Sequence, residues 1–216
     1  MIGATQSPEV DPEQLRDAAP EELLVGFRLE DVRLRALSLA QLDAGSGSIK
    51  AAHLADVDLG GSRLRALELV DVVAERIDCA NGDWGGARAR RSTFADCRLT
   101  GLNLAEANLE HVSFRACKLD YANLGHSSLE CVSFVDCLLN GADFQGAAIR
   151  TTRFSGCSLL EADFSSAKLS SVDLRGSELA PAGSLLGLAG AIIDPLQLME
   201  IARPLAAELG MIVEER

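Results

Sequence analysis

The chain repeats itself every five residues, and no other feature restricts its fold as tightly. Of the 31 positions reached by taking every fifth residue from Leu29 to Leu179, 27 are Leu, Ile, Phe or Trp, the exceptions being Ala44, Ala74, Cys79 and Ala89. Those four large residue types number 50 of 216, so an unpatterned chain would place about seven there. A second slot, two residues earlier, holds small or β-branched side chains such as Ala107, Val112, Cys117, Ala122 and Val132. The other three positions of each five are polar, small or charged. A period of five matches neither the 3.6 of an amphipathic helix nor the 2 of a flat strand, so the backbone has to turn a corner every five residues.

Columns at a spacing of twenty set the number of corners per coil. Phe94, Phe114, Phe134 and Phe154 form one, Cys97, Cys117, Cys137 and Cys157 a second, and Phe144 and Phe164 part of a third. Four fives therefore close one square coil, in which each residue stacks on the one twenty later. Aromatic residues make up only 4% of the chain, which suits a narrow interior filled mostly by aliphatic side chains. The span 29–179 gives between seven and eight coils, a rod roughly 36 Å long at ~4.8 Å per rung.

On these residues the chain resembles the pentapeptide-repeat family, whose motif is a small residue, Asp or Asn, Leu or Phe, then two polar residues. GADFQ, EADFS, YANLG and EANLE lie close to it. The resemblance covers roughly 29–179 and implies an all-β solenoid, a right-handed quadrilateral β-helix. The N-terminal coils depart most from the motif, with GSGS at 45–48 and NGDWGG at 81–86, but the register of five holds and any bulge should be local. One coil, 71–90, sets Ala74, Cys79 and Ala89 beside Trp84, the only tryptophan. Either that coil is bulged or one indole fills the space three leucines vacate. Constant packing density favours the second.

The repeat divides the chain into an N-terminal cap or leader (1–26), the coil stack (27–180) and a C-terminal partial coil with a helix (181–216). Short helical starts are expected at 11–15 and 20–23. After the break at PAGS, Leu188 and Ile193 continue a partial coil in shifted phase. Asp194 then offers an N-cap, Pro195 the first helical residue and Gly210 the residue past the end. Leu198, Ile201, Leu205 and Leu209 form a helical stripe, with a kink expected at Pro204. This stripe covers the last coil of its own chain or pairs with a second copy.

Few chemistries are open to such a chain. No apolar stretch is long enough to span a membrane, and the first ten residues lack the basic and apolar regions of a signal peptide, so a soluble, cytoplasmic protein with no membrane partner is expected. The six cysteines form no CxxC pair or zinc-ligand spacing, and 32 acidic against 20 basic residues argue against direct nucleic-acid binding. His53, His111 and His126 have no nucleophile and carboxylate placed beside them by the repeat, and no phosphate-binding glycine motif occurs. A non-enzyme without cofactor or metal is expected. The glycines fall mostly at corners, such as Gly101, Gly141, Gly146, Gly156 and Gly176. The cysteine column could in principle share Cu(I), but its inward slots need small apolar side chains. Cys131 alone occupies an outward position.

Charge is where a function can be sought. Residues 1–26 carry six acids and one base, and 181–216 five acids and two bases, which leaves the coils at twenty-one acids and seventeen bases, net −4. The sides centred on Leu109 and Phe114 each come to +1, and the adjacent sides centred on Leu119 and Leu124 to −3 each. Glu106, Asp120, Asp143, Glu161 and Asp163 lie on this acidic pair, with Asn103, Asn123, Asp143 and Asp163 in one column. These residues serve either local backbone hydrogen bonds and solubility or a negative strip that engages a basic groove. The family resemblance implies the latter. Its best-understood members are duplex-DNA mimics that bind DNA gyrase or topoisomerase IV, usually as homodimers joined through C-terminal helices, and protect against quinolones and other topoisomerase poisons. A faithful mimic of a ~36 Å duplex would need roughly 20 negative charges, so a net of −4 implies mimicry of a strip at most. The rival expectation is a structural or regulatory scaffold with an unrelated protein partner.

Overall fold

In the computed structural model, which describes residues 5–23 and 25–214, the chain winds as a parallel-strand solenoid closed by one C-terminal helix. The extreme ends of both flanks, and Leu24, lie outside the described residues. Four ladders run along the rod. One links 88, 108, 128, 148 and 168, the next 93, 113, 133, 153 and 173, the third 98, 118, 138, 158 and 178, and the fourth 83, 103, 123, 143 and 163. Each step is twenty residues, so the coil has four sides as the columns require.

The stack is longer than the periodic span suggests. Arg16–Asp17 pairs in parallel with Val32 and Arg33, and Ala191–Ile192 pairs with Val172 and Asp173. Ten strands thus follow one another along one side, giving about nine turns rather than seven to eight. Both added rungs break the period, with steps of 16 and 19 residues, and a search at fixed spacing cannot see them. The C-terminal rung is the expected partial coil in shifted phase.

Why a five-residue unit turns is visible in the backbone. Large and small inward residues of each five are buried from Leu29 to Phe164, save at Leu37, Leu39, Leu42 and Gly47, and the second residue after each large one, except after Ala44, has a left-handed φ. Gly141 (φ 64) and Gly156 (φ 64) do this without a Cβ penalty, but Glu106, Tyr121, Cys131 and Glu161 adopt the same conformation at φ 53 to 59. What offsets their strain is a hydrogen bond between coils. Left-handed residues of the coils aim their N–H at the next rung, as from Glu106 to the Gly125 carbonyl, Tyr121 to Asn140 and His126 to Gln145, all at 2.9 Å. Corners such as 104–107 also close as β-turns, Ala107 N donating to the Leu104 carbonyl at 3.1 Å.

The register slips twice, once at the C-terminal end between Leu160 and Asp163, where Asp163 pairs with Ala182, and once in the N-terminal coils. Between Asp43 and Gly45 the ladder shifts, and the left-handed residue is Gly45 rather than Ser46. This is the local bulge expected in GSGS; NGDWGG, by contrast, continues its ladder from Asp83 to Asn103 without interruption.

The core follows the columns. The rings of Phe94, Phe114, Phe134 and Phe154 stack at 5.1, 5.0 and 4.7 Å, and those of Phe144 and Phe164 at 4.8 Å. Trp84 is buried with Ala74, Cys79 and Ala89 around it, and its Nε1 donates to Ser62 Oγ at 3.1 Å. The indole almost makes up the missing volume. A void of about 20 Å³ remains along the N-terminal coils, lined by apolar residues from Leu23 and Phe27 to Trp84 and Phe94.

Both flanks close the stack. Pro20–Glu22 is a short 3₁₀ helix, as expected, but 11–15 forms only one turn, Gln14 N donating to the Asp11 carbonyl. The leader then runs extended along the ridge between the Leu109 and Phe114 sides. Arg33 reaches the Pro12 carbonyl (2.8 Å), Glu9 N donates to Asp71 Oδ1 (3.0 Å) and Gln6 N to His111 Nδ1 (3.2 Å). At the other end, helix α1 (Pro195–Glu208) starts on Asp194, whose Oδ1 accepts from Leu196 N and Gln197 N at 2.9 and 3.1 Å, and runs through Pro204. Gly210 past its end has φ 74. Gln197 and Ile201 are buried against the last coil, the Gln197 amide donating to the Leu174 and Ser177 carbonyls at 2.7 Å. The stripe therefore splits: Ile201 caps the chain's own coil and Leu205 is half-buried, whereas Leu198 and Leu209 are exposed, together with Leu196 and Met199.

Candidate partner-binding surface

On the rod the predicted acids fall at two kinds of position. Glu106 and Glu161 are exposed corner residues. Asp120, Asp143 and Asp163 were expected to point outward but are half-buried, because each carboxylate turns back to the backbone. Asp143 Oδ1 accepts from Gln145 N and Asp163 Oδ1 from Ser165 N, both at 2.7 Å, and Asp120 Oδ1 accepts from Asn140 N at 3.1 Å. Asn103 and Asn123 make the same bond two residues on, to Ala105 N (3.1 Å) and Gly125 N (2.9 Å). The column is thus a ladder of Asx turns, and its residue type follows from local hydrogen bonding. Among the described residues, Oδ2 of each aspartate has no hydrogen bond.

On the two acidic sides these acids differ from Asp43, Asp78 and Asp83 of the N-terminal coils in having no ion pair among the described residues, a lack they share with Glu110, Glu130 and Asp136 on the other two sides. In the N-terminal coils acids meet bases one rung away: Arg63 with Asp43 (3.4 Å), Arg76 with Asp56 (2.7 Å), Arg91 with Asp71 and Arg98 with Asp78 (2.7 Å), each pair twenty residues apart. Lys50 with Glu68 and Arg65 with Asp83 add diagonal pairs. Among the described residues, Glu106, Asp120, Asp143, Glu161 and Asp163 form no ion pair. The next paired acid is Asp173, held by Arg175 at 2.9 Å and Arg153 at 3.5 Å. The negative strip therefore runs from Glu106 to Asp163 on the two acidic sides.

Two residues that the sequence reading passed over stand in the same place. Tyr121, 69% exposed, and Leu138, 41% exposed, are the only large apolar side chains strongly exposed among the described residues of the coils 27–180. The signal was available: both occupy outward positions of the register, where polar or small residues are the rule.

The thiols of the column are buried. Cys117, Cys137 and Cys157 lie near the carbonyls of Phe94, Phe114 and Phe134 at 3.3 to 3.5 Å, and Cys137 is pushed up to about 12, chiefly by its column neighbour Cys117 and also by burial. Cys131 is half-buried rather than fully outward, and burial, with Glu130 and Glu110 nearby, raises its thiol too. A thiolate nucleophile is disfavoured at each. Among the described residues no group of His, Cys, Asp and Glu is arranged to hold a metal, and no helix is long and apolar enough to cross a membrane.

Residues 80–144 and 116–182 match a family model described as a pentapeptide repeat region. No curated protein is significantly similar in sequence. Among solved structures, a trypsin-treated form of QnrB1, a plasmid-mediated fluoroquinolone resistance protein, is 19% identical over 98% of this chain and 98% of that chain, with a TM-score of 0.51. HetL, a pentapeptide repeat protein involved in heterocyst differentiation regulation from the cyanobacterium Nostoc, is 22% identical over 76% of this chain and 84% of that chain, with a TM-score of 0.49. At these identities the likeness to QnrB1 is one of fold.

Proposed function

The chain belongs to the pentapeptide-repeat family, and from that premise we propose that it is a non-enzymatic protein-binding rod. Its two adjacent acidic sides engage a basic, duplex-binding groove of a partner, with DNA gyrase or topoisomerase IV the named candidate and protection from poisons such as quinolones the consequence. The observation that carries this reading is the uncompensated run Glu106, Asp120, Asp143, Glu161 and Asp163, set against the ion-paired N-terminal coils. Unpaired carboxylates lose no internal partner when they meet external cations, so they are available to a basic surface. QnrB1, a fluoroquinolone resistance protein, has the same fold, which makes the shape compatible. The exposed face of α1 fits a homodimer in which two rods share one seam.

The test is inhibition of gyrase supercoiling. Because Asp143 and Asp163 hold backbone N–H groups, replacing Asp120, Asp143 and Asp163 together by Asn keeps those bonds and removes only charge. That variant should lose inhibition, whereas one neutralising Glu110 and Glu130 on the Leu109 side should keep it. Inhibition by wild type should also weaken as salt rises. A second reading, a scaffold with an unrelated partner, draws on the Asx turns, which account for the aspartates without any ligand. It takes over if wild-type protein leaves supercoiling and quinolone-induced cleavage unchanged at low salt.

A further inference from the structure

Tyr121 occupies the corner shared by the two acidic sides, and its ring lies over the backbone of Gly141 one rung on: a Cβ added at Gly141 would meet ring carbons at 2.7 Å. The glycine gives the ring a flat seat, and the outer face of the ring is open. Asp120 precedes it in sequence, Asp143 follows Gly141 by two residues on the neighbouring side, and Glu161 is the next corner, two rungs from Tyr121 or roughly 10 Å along the axis. Leu138 stands exposed on the far flank of Asn140 on the same side. Isolated apolar residues on a surface need no explanation. Here the two strongly exposed ones of the coils both lie on the Leu119 side, beside the unpaired acids Asp120, Asp143 and Glu161.

We infer that Tyr121 is the anchor of the acidic surface, an aromatic plate that receives an arginine side chain of a basic protein partner. The inference rests on the reading of these sides as the contact surface and adds the group they recognise. A planar guanidinium stacks on a phenol ring and can at the same time direct its N–H groups to a carboxylate beside it, here Asp120, Asp143 or Glu161. A lysine ammonium offers one hydrated point charge and cannot do both equally well. Leu138 supplies the apolar margin that excludes water from such a contact, the usual setting of an interface anchor.

Because Tyr121 is the only tyrosine, 3-fluorotyrosine incorporated into the full chain gives a single ¹⁹F signal from this ring. Titration at low salt with hexa-arginine should move the signal saturably, and hexa-lysine should bind at least about fivefold more weakly. In a parallel calorimetric titration of unlabelled protein, Tyr121→Leu, which keeps apolar bulk and loses the ring, should reduce hexa-arginine affinity by a similar factor. The Asp120→Asn and Glu161→Gln double variant should reduce it as well while leaving the ring in place. A signal that stays fixed, equal binding of the two peptides, or a Tyr121→Leu variant that binds like wild type would each overturn the inference. The gyrase reading fails separately: supercoiling left unchanged with the arginine preference intact would change the partner and keep the anchor.

Discussion

At the scale of single residues, stability is concentrated where stacking is continuous. Phe134 touches a ring on each side, at 5.0 and 4.7 Å, and is fully buried. Phe134→Ala should therefore cost about 3–5 kcal/mol, and Phe134→Leu clearly less, since only part of the volume is lost. Trp84→Ala should cost on the order of 3–5 kcal/mol, because it enlarges an existing void and leaves Ser62 Oγ without its donor. Denaturant titrations measure both, and native fluorescence of Trp84 should be blue-shifted and resistant to quenchers. Much at this scale was legible in advance. A column at twenty names its own neighbours, so the Phe and Cys stacks follow from counting, and Trp84 from volume. The left-handed corners filled by Glu106, Tyr121 or Cys131 were not legible, because no propensity favours those residues there. They are imposed by the hydrogen bonds between coils.

Between elements, the leader is the part with no periodic signature. Its attachment through Glu9 N to Asp71 and Gln6 N to His111 joins residues 62 and 105 apart, neither a multiple of the twenty-residue coil, so only the structure reveals it. The ion pairs were within reach of the sequence, since Asp56 and Arg76, Asp71 and Arg91, and Asp78 and Arg98 each lie twenty apart. Asp71 joins the two systems. The Arg91 guanidinium, together with the Glu9 N–H, holds its carboxyl below the usual carboxylate range against the opposing effect of burial. Since the folded value is the lower one, the contribution of Asp71 is complete above the unfolded value near 3.9 and disappears as pH falls through the folded value. Stability from this pair should thus be flat from about pH 8 to 5 and fall only below about pH 4. Asp71→Ala should cost about 1–3 kcal/mol and remove that acid-dependent component. It should also raise hydrogen exchange at residues 6–12 while leaving the Phe column protected. Unchanged exchange in the leader would mean that Asp71 does not hold it.

For the whole molecule, the question is what the exposed face of α1 meets. The helix buries Gln197 and Ile201 on its own chain, and Glu208 accepts from Leu185 N at 2.8 Å, so it is a cap with or without a second copy. Capping explains why an open sheet end does not recruit further strands. It does not explain Leu196, Leu198, Met199 and Leu209, each at least half exposed. A two-fold pairing of this face would bury all four in each copy, in the self-complementary manner of cyclic dimers. Deleting α1 is a poor test, since it would strip Leu174 and Ser177 of the Gln197 amide and expose the last coil. Replacing Leu198 and Met199 by Glu leaves the capping contacts intact and places charges only on the free face. Light scattering at tens of micromolar should then show wild type as a dimer and the double variant as a monomer, with circular dichroism unchanged. A dimer that survives both charges would move the seam elsewhere on the rod, and a monomeric wild type would make α1 a cap alone.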